Sequence, residues 1–206
     1  MNQKIKFIYF DVGGVLILDF SNTNKWQELK SDLGITPEKD LEFEVVWQKH
    51  KDRICLDLDV DKLMPEIKQK VKIELPKNYS LLNDFVNRFQ ANPSIWPVLK
   101  LVKSKFKVGL LTNMYPRMLE AIEQANLLPN LDWDVTIDSS QVIKQKPNPE
   151  IFELATKKSG FKNEEILFID NSLENTLAAQ KIGWQVFHYD NKNPEKASKE
   201  LKDLLK

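Results

Sequence analysis

The sequence predicts an α/β protein: a parallel sheet flanked by helices, with an all-helical segment inserted after the first strand. Three observations carry this reading. First, apolar runs rich in β-branched and aromatic residues alternate with helical periodicity over Phe7–Leu18 and again from Pro93 to the end. That is the rhythm of parallel strands joined by right-handed crossovers. Second, residues 19–92 are rich in Lys, Glu and Asp, keep their apolar residues at helical spacing and show no obvious strand. Third, three of the apolar runs end on polar side chains, at Asp11, at Thr112-Asn113 and at Asp170-Asn171. In a parallel sheet these ends share the carboxyl edge, where such folds bind ligands.

The chain is organised around its first run, FIYFDVGGVLIL. Unbroken Phe, Ile, Tyr and Val suit a strand buried on both faces. A carboxylate is costly to bury without a cation or donors, so Asp11 is expected at the strand's exit. Gly13 and Gly14 then allow a sharp turn or a close approach to a ligand. Such an Asp suits either a nucleophile at the sheet edge or a cap on a strand-end turn.

In the inserted segment, Trp26, Leu29 and Leu33 mark one helix face. Leu41, Val45 and Trp47 mark a second, entered through Thr36-Pro37-Glu38 with Thr36 as cap. Leu63, Ile67 and Val71 give a third, and Leu81, Leu82, Phe85, Val86 and Phe89 a fourth. Beyond Pro93 the elements follow as a helix over Pro97–Val102, a strand over Phe106–Leu111 and a helix over Pro116–Asn126. A strand over Trp133–Ile137 and a helix from Pro149 to Ser159 come next, then a strand over Glu165–Ile169. A helix over Leu173–Ile182, a strand in WQVFHY and an amphipathic helix over Pro194–Lys206 close the chain. Trp26, Trp47 and Trp96 read as packing residues, and His188 as a strand-end residue.

Composition narrows the partners. Lys plus Arg total 30 and Asp plus Glu total 30. That balance argues against a nucleic-acid or membrane-surface binder, which shows a basic excess. A single cysteine, Cys55, excludes a disulfide within the chain and fits a reducing, cytoplasmic setting. It reads as a small buried residue, with no His at nucleophile-motif spacing. Lys4 and Lys6 precede the first run as in a secretory signal, but Asp11 interrupts it and no small-x-small cleavage site follows. No stretch is long enough to span a bilayer.

An Asp at a strand end, a second acid, a hydroxyl and a lysine in a Pro-rich loop suit phosphoryl transfer. Asp11 would attack phosphorus. Mg²⁺ would offset the charges of Asp11 and the phosphate against each other. Thr112 and the Asn113 amide would hold phosphate oxygens, and Lys146, unless it is only an exposed loop lysine, would offset the transferring charge.

With these residues in place, the chain resembles the haloacid dehalogenase-like (HAD) superfamily of hydrolases. FDVGGVL, LLTN, KPNPEIF and ILFIDNSLEN stand in the family's order. The resemblance implies a Rossmann-like core of strand order 5-4-1-2-3, formed by residues 1–18 and 93–206, under a helical cap formed by residues 19–92. It implies catalytic roles for Asp11, Thr112, Lys146 and Asp170, and a small phosphorylated metabolite, such as a sugar phosphate, held by Thr112, Asn113 and Lys146. It also implies Mg²⁺ among Asp11, Gly13, Asp170 and Asn171.

Two departures stand out. The family's phosphatases carry a second Asp two residues after the nucleophile as general acid and base; here that position is Gly13. Asn171 replaces a second acid and keeps an oxygen but no charge, and Asn175, beside Glu174, takes the later acidic position. Asp19 is near in sequence and could supply the missing acid only if it reaches the site. The phosphatase reading therefore stands beside two others: a metal-independent 2-haloacid dehalogenase, and a HAD fold that binds without turnover.

Overall fold

In the computed structural model, which describes residues 5–206, Phe7–Phe10 form β1 with all four side chains buried. Residues 1–4, Lys4 among them, lie outside the described residues. Each such apolar side chain contributes about 1.5–3 kcal/mol by leaving water. The run expected to continue to Leu18 divides. The chain turns after Asp11 and resumes as β2, Ile17–Leu18.

Four helices follow: α1 (Lys25–Asp32), α2 (Asp40–Ile54), α3 (Met64–Val71) and α4 (Leu81–Asn87). Then β3, Gln90–Ala91, returns antiparallel to β2, so the helical segment leaves and rejoins the sheet on one short ribbon. α2 starts later than its Thr36-Pro37 signal. The Lys39 amide bonds the Thr36 carbonyl at 2.9 Å, which closes a turn, and the helix begins one residue beyond.

The remaining elements are α5 (Trp96–Lys103), β4 (Lys107–Thr112), α6 (Met118–Gln124), β5 (Val135–Asp138), the short α7 (Ser139–Val142) and α8 (Pro149–Ser159). After them come β6 (Ile166–Asp170), α9 (Leu173–Lys181), β7 (Gln185–His188) and α10 (Pro194–Leu204).

The large sheet has the order β5-β4-β1-β6-β7, with every pair parallel. Counted along the chain among these five strands, that is 3-2-1-4-5, the expected 5-4-1-2-3 viewed from the other edge. The β2–β3 ribbon shifts the numbering. Alternation along β1 splits the core into two. Phe7 and Tyr9 pack with Ile151, Phe152 and Trp184 under α8 and α9. Ile8 and Phe10 join a cluster that runs without a break through Val98 and Leu201 into Leu29, Phe43 and Ile67 of the inserted helices. Among the described residues no helix is long and apolar enough to cross a membrane.

Asp134 ties this sheet together ahead of β5. Its carboxylate accepts from Lys107 Nζ at 2.8 Å, the Val108 amide at 2.9 Å and Lys103 Nζ at 3.1 Å. Burial alone would raise its pKa, but these donors outweigh it and hold the carboxyl at about 2. Because the folded value lies below the unfolded one, the stabilisation is present above about pH 4 and is lost as pH falls through 2. Asp134→Asn is therefore expected to lower stability by about 1–2 kcal/mol at pH 7. The deficit should vanish near pH 2 in urea titrations, and a pH-independent deficit would contradict the electrostatic account.

Candidate active site

The parallel register gathers the site. Phe10 is level with Leu110 on one side and Ile169 on the other. Asp11, the next residue, therefore lands beside Asp170 at the end of β6 and one step from Thr112 at the end of β4. The Asp11 amide continues the ladder to the Ile169 carbonyl at 2.9 Å.

Lys146 comes in from the loop between α7 and α8 and is only 3% exposed. Its ammonium sits 3.0 Å from Asp11 Oδ1 and 2.7 Å from Asp170 Oδ2, and donates to the Leu111 carbonyl at 3.0 Å. Three partners match its three protons. Asn113 fixes the loop backbone at two points. Its Nδ2 donates to the Lys146 carbonyl at 2.8 Å, and its Oδ1 accepts from the Lys146 amide at 2.9 Å. The phosphate contact was expected of the Asn113 amide; its side chain is used to place Lys146.

Asp170 is fully committed. Besides Lys146 it accepts from the Ser172 amide at 2.7 Å, and Asn175 Nδ2 lies 3.1 and 3.3 Å from its two oxygens. It anchors the lysine and leaves no open oxygen for a cation. Asp11 differs. Lys146 and the Val12 amide, at 2.8 Å, both engage its Oδ1. Burial raises its carboxyl to about 7; Lys146 opposes this and Asp170 adds to it. For Lys146, burial works against the charge, but Asp11 and Asp170 outweigh it and its pKa is raised. Thr112 Oγ1 is buried and, among the described residues, has no hydrogen-bond partner of normal geometry. Nearly all buried polar atoms are paired, so an orphan hydroxyl beside a buried carboxylate marks a place for a ligand oxygen.

The loop after Asp11 folds back tightly. The Leu16 and Ile17 amides both donate to the Val12 carbonyl, at 2.9 and 3.0 Å, and the Gly14 amide donates to the Ile17 carbonyl at 2.8 Å. Gly14 has φ of +73°, and a Cβ there would lie 2.3 Å from Asn171 Nδ2, so the turn needs glycine twice over. Gly13 has no left-handed φ. Its side-chain space is filled instead by Asp19: a Cβ on Gly13 would lie 2.6 Å from Asp19 Oδ2.

The oxygen-bearing groups at this edge that would hold a cation are the Asp11 carboxylate and the Asn171 side chain, with the Gly13 carbonyl from the loop after Asp11. Among the described residues no three His, Cys, Asp or Glu side chains gather as a metal cluster. The set still fits Mg²⁺, which is held by one or two carboxylates, water and phosphate oxygens, but it fits as a low-charge site.

Above the edge lies a cavity of about 200 Å³. Gly13, Asp19 and Asn113 line its polar end, and Trp26, Phe85 and Phe89 of the inserted segment form its far wall. Cys55 borders it too. Burial, with Asp138 adding, pushes its thiol up to about 12, so it is no nucleophile. Trp26 and Trp47 sit in an aromatic cluster with Phe43 and Phe85, as packing residues. His188 ends β7, its ring 3.0 Å from the Asn171 carbonyl.

Sequence reasoning missed one support. Ser139 accepts from the Met114 amide at 3.0 Å and bonds the Cys55 carbonyl, which fastens the loop after β4 to the end of α2. Asp19, expected to supply the missing acid only if it reaches the site, lies against Gly13.

Comparisons with known proteins bear on the family and the fold. The model of a hydrolase family, the haloacid dehalogenase-like hydrolases, matches residues 5–183. The rhythmically expressed gene 2 protein of Drosophila melanogaster is 38% identical over 89 residues, 41% of this chain; the match spans about a third of that relative, 34%. Among solved structures, a HAD family enzyme from Bacteroides thetaiotaomicron superposes with a TM-score of 0.73 at 20% identity, covering 92% of this chain and 95% of that one. That enzyme has also been solved in complex with magnesium and inorganic phosphate; this second structure has a TM-score of 0.68 at 20% identity, covering 91% and 95%. A predicted HAD-like hydrolase from Porphyromonas gingivalis gives a TM-score of 0.71 at 24% identity, covering 91% and 92%. At these identities the solved structures speak for the fold, while the family model spans most of the sequence. The chain belongs to the haloacid dehalogenase-like hydrolase family.

Proposed function

We propose that this protein is a Mg²⁺-dependent phosphomonoesterase that works through an aspartyl-phosphate on Asp11. The observation that carries the reading is one buried ammonium held between two buried carboxylates, beside an unpartnered buried hydroxyl. Asp11 presents an oxygen at the sheet edge. The Thr112 hydroxyl would bond a phosphate oxygen there. Lys146 would keep the nucleophile ionised and in line, with Asp170 and Asn113 fixing the lysine in turn. Two carboxylates and one ammonium leave a net negative charge, which a dianionic phosphate ester cannot approach unaided. Mg²⁺ held by Asp11, Asn171 and the Gly13 carbonyl would supply the missing positive charge at the phosphate oxygens. The magnesium and phosphate bound by the Bacteroides enzyme support this assignment.

In this reading residues 19–92 are a cap on the core of 1–18 and 93–206, hinged on the β2–β3 ribbon. The cavity of about 200 Å³ then limits the leaving group to a small metabolite, with sugar phosphates the first class to try. The test is phosphate release from a panel of phosphomonoesters with Mg²⁺ or with EDTA. Release that needs Mg²⁺ is the expected result. Halide release from a 2-haloacid, unaffected by EDTA, would replace the reading with a dehalogenase.

A further inference from the structure

The position two residues beyond Asp11 holds glycine, yet its side-chain space is not empty. A Cβ built on Gly13 comes within 2.6 Å of Asp19 Oδ2 and 3.6 Å of Asp19 Cγ. Real Cβ atoms do not approach an oxygen so closely, so a side chain at 13 would push the Asp19 carboxylate out of the place it holds. The backbone at Gly13 has no left-handed φ, so it would accept an L-residue. The space a side chain would take at position 13 is held by the Asp19 carboxylate.

The Asp19 carboxylate is also oriented. Oδ1 accepts from the Ser21 amide at 2.8 Å, which turns Oδ2 toward Gly13. The turn that delivers it is fixed by the bonds of Leu16 and Ile17 to Val12 and by the β2–β3 ribbon. Among the described residues Asp19 is moreover the one carboxylate on the wall of the 200 Å³ cavity, which Gly13 and Asn113 also line. The other protic side chains there, Cys55 and Tyr115, are pushed upward chiefly by burial, so neither trades a proton near neutral pH. Lys146 is committed between Asp11 and Asp170.

The geometry points to Asp19 as the general acid and base of the reaction, reaching over Gly13 from the far side of the turn. The inference rests on the phosphatase reading. In the first half, an Asp11 oxygen bonds phosphorus, the bond from phosphorus to the leaving oxygen breaks, and the Asp19 carboxyl gives its proton to that oxygen. In the second, the Asp19 carboxylate takes a proton from water as the water oxygen bonds phosphorus. The Asp11–phosphorus bond breaks, and phosphate leaves with Asp11 and Asp19 restored.

The experiment compares wild type, Asp19→Asn and the double variant Gly13→Asp/Asp19→Gly on two substrates at saturating Mg²⁺. One is an alkyl phosphate, a poor leaving group; the other is p-nitrophenyl phosphate, whose leaving group needs little protonation. Asp19→Asn keeps an oxygen for the Ser21 amide. It is expected to lose on the order of 10²–10⁴ in kcat on the alkyl ester, the range of a general acid or base, and distinctly less on the nitrophenyl ester. The double variant, with a carboxylate restored at 13 and its space cleared, is expected to regain at least about tenfold over Asp19→Asn, in line with the size of the term restored.

A merely structural role would depress both substrates equally and would not be rescued from position 13. Equal losses, a loss that more Mg²⁺ restores, or an Asp19→Asn enzyme about as fast as wild type would each overturn the inference and leave the phosphatase reading standing. A wild type that releases phosphate from no ester would instead bring down the phosphatase reading, and the inference with it.

Discussion

Asp11→Asn is expected to remove phosphate release while leaving the protein at least as stable at pH 8. On the proposed mechanism Asp11 supplies the attacking oxygen, and an amide oxygen cannot take its place. Losses on the order of 10⁴–10⁶ in kcat accompany removal of a hydrolase nucleophile.

The stability half follows from the pKa. The Asp11 carboxyl is raised to about 7, chiefly by burial, with Asp170 adding to the effect and Lys146 opposing it. A carboxyl whose folded value exceeds its unfolded value near 4 destabilises the folded state once pH rises through that window. Asn keeps the shape, drops the charge and leaves Lys146 paired with Asp170 at 2.7 Å. The Tm of Asp11→Asn in EDTA should therefore equal or exceed that of wild type at pH 8, and the difference should shrink toward pH 4. Surviving activity would end the covalent mechanism. A large loss of Tm would mean that Asp11 is held for the fold rather than against it, contrary to the usual trade between activity and stability at such sites.

How far the sequence reaches can be seen at particular residues. The parallel strands were legible because burial on both faces leaves an unbroken apolar run, and the polar residue ending each run marked the carboxyl edge. Asp11, Thr112, Lys146 and Asp170 meet because parallel register carries strand ends to one line. What pairs with what was not legible. The sequence offers the Asn113 amide to a phosphate, but the two-point bond of its side chain to the Lys146 backbone crosses from one loop to another, and no local pattern encodes it. β2 and β3 are two residues each, too short for a periodicity, and Gln90–Ala91 has no strand propensity. They form because both ends of the helical segment leave the sheet at one place. Pro37 looked like a helix start because Thr-Pro-Glu suits one; a closed turn took those residues, and α2 began at Asp40. That Asp19 reaches Gly13 was not legible, for the same reason as the Asn113 bond. Its closeness to Gly13 comes from a chain reversal, and a missing side chain at one position gave no sign that another residue fills the gap.

Lys146→Met is expected to be the most damaging single change to the fold. The ammonium is 1% exposed at its side chain and lies between Asp11 and Asp170, whose side chains are 11% and 0% exposed. Met keeps most of the volume, so the cost is electrostatic. It leaves two buried carboxylates facing each other and frees the Leu111 carbonyl of its donor. Removing one member of a buried ion pair costs about 3–5 kcal/mol, a large share of the roughly 5–15 kcal/mol that holds a domain folded. Urea titration should show the midpoint falling at unchanged slope. Adding Asp170→Asn to Lys146→Met should recover part of the loss, because it removes one of the two stranded charges while Ser172 still has an oxygen to bond. That non-additivity is the signature of residues acting as one unit. Strict additivity, or a single-variant loss under about 1 kcal/mol, would show that the lysine contributes no more than a surface pair. The double variant should remain inactive even where it refolds well, since it returns stability to the sheet edge without returning the cation that keeps Asp11 ionised.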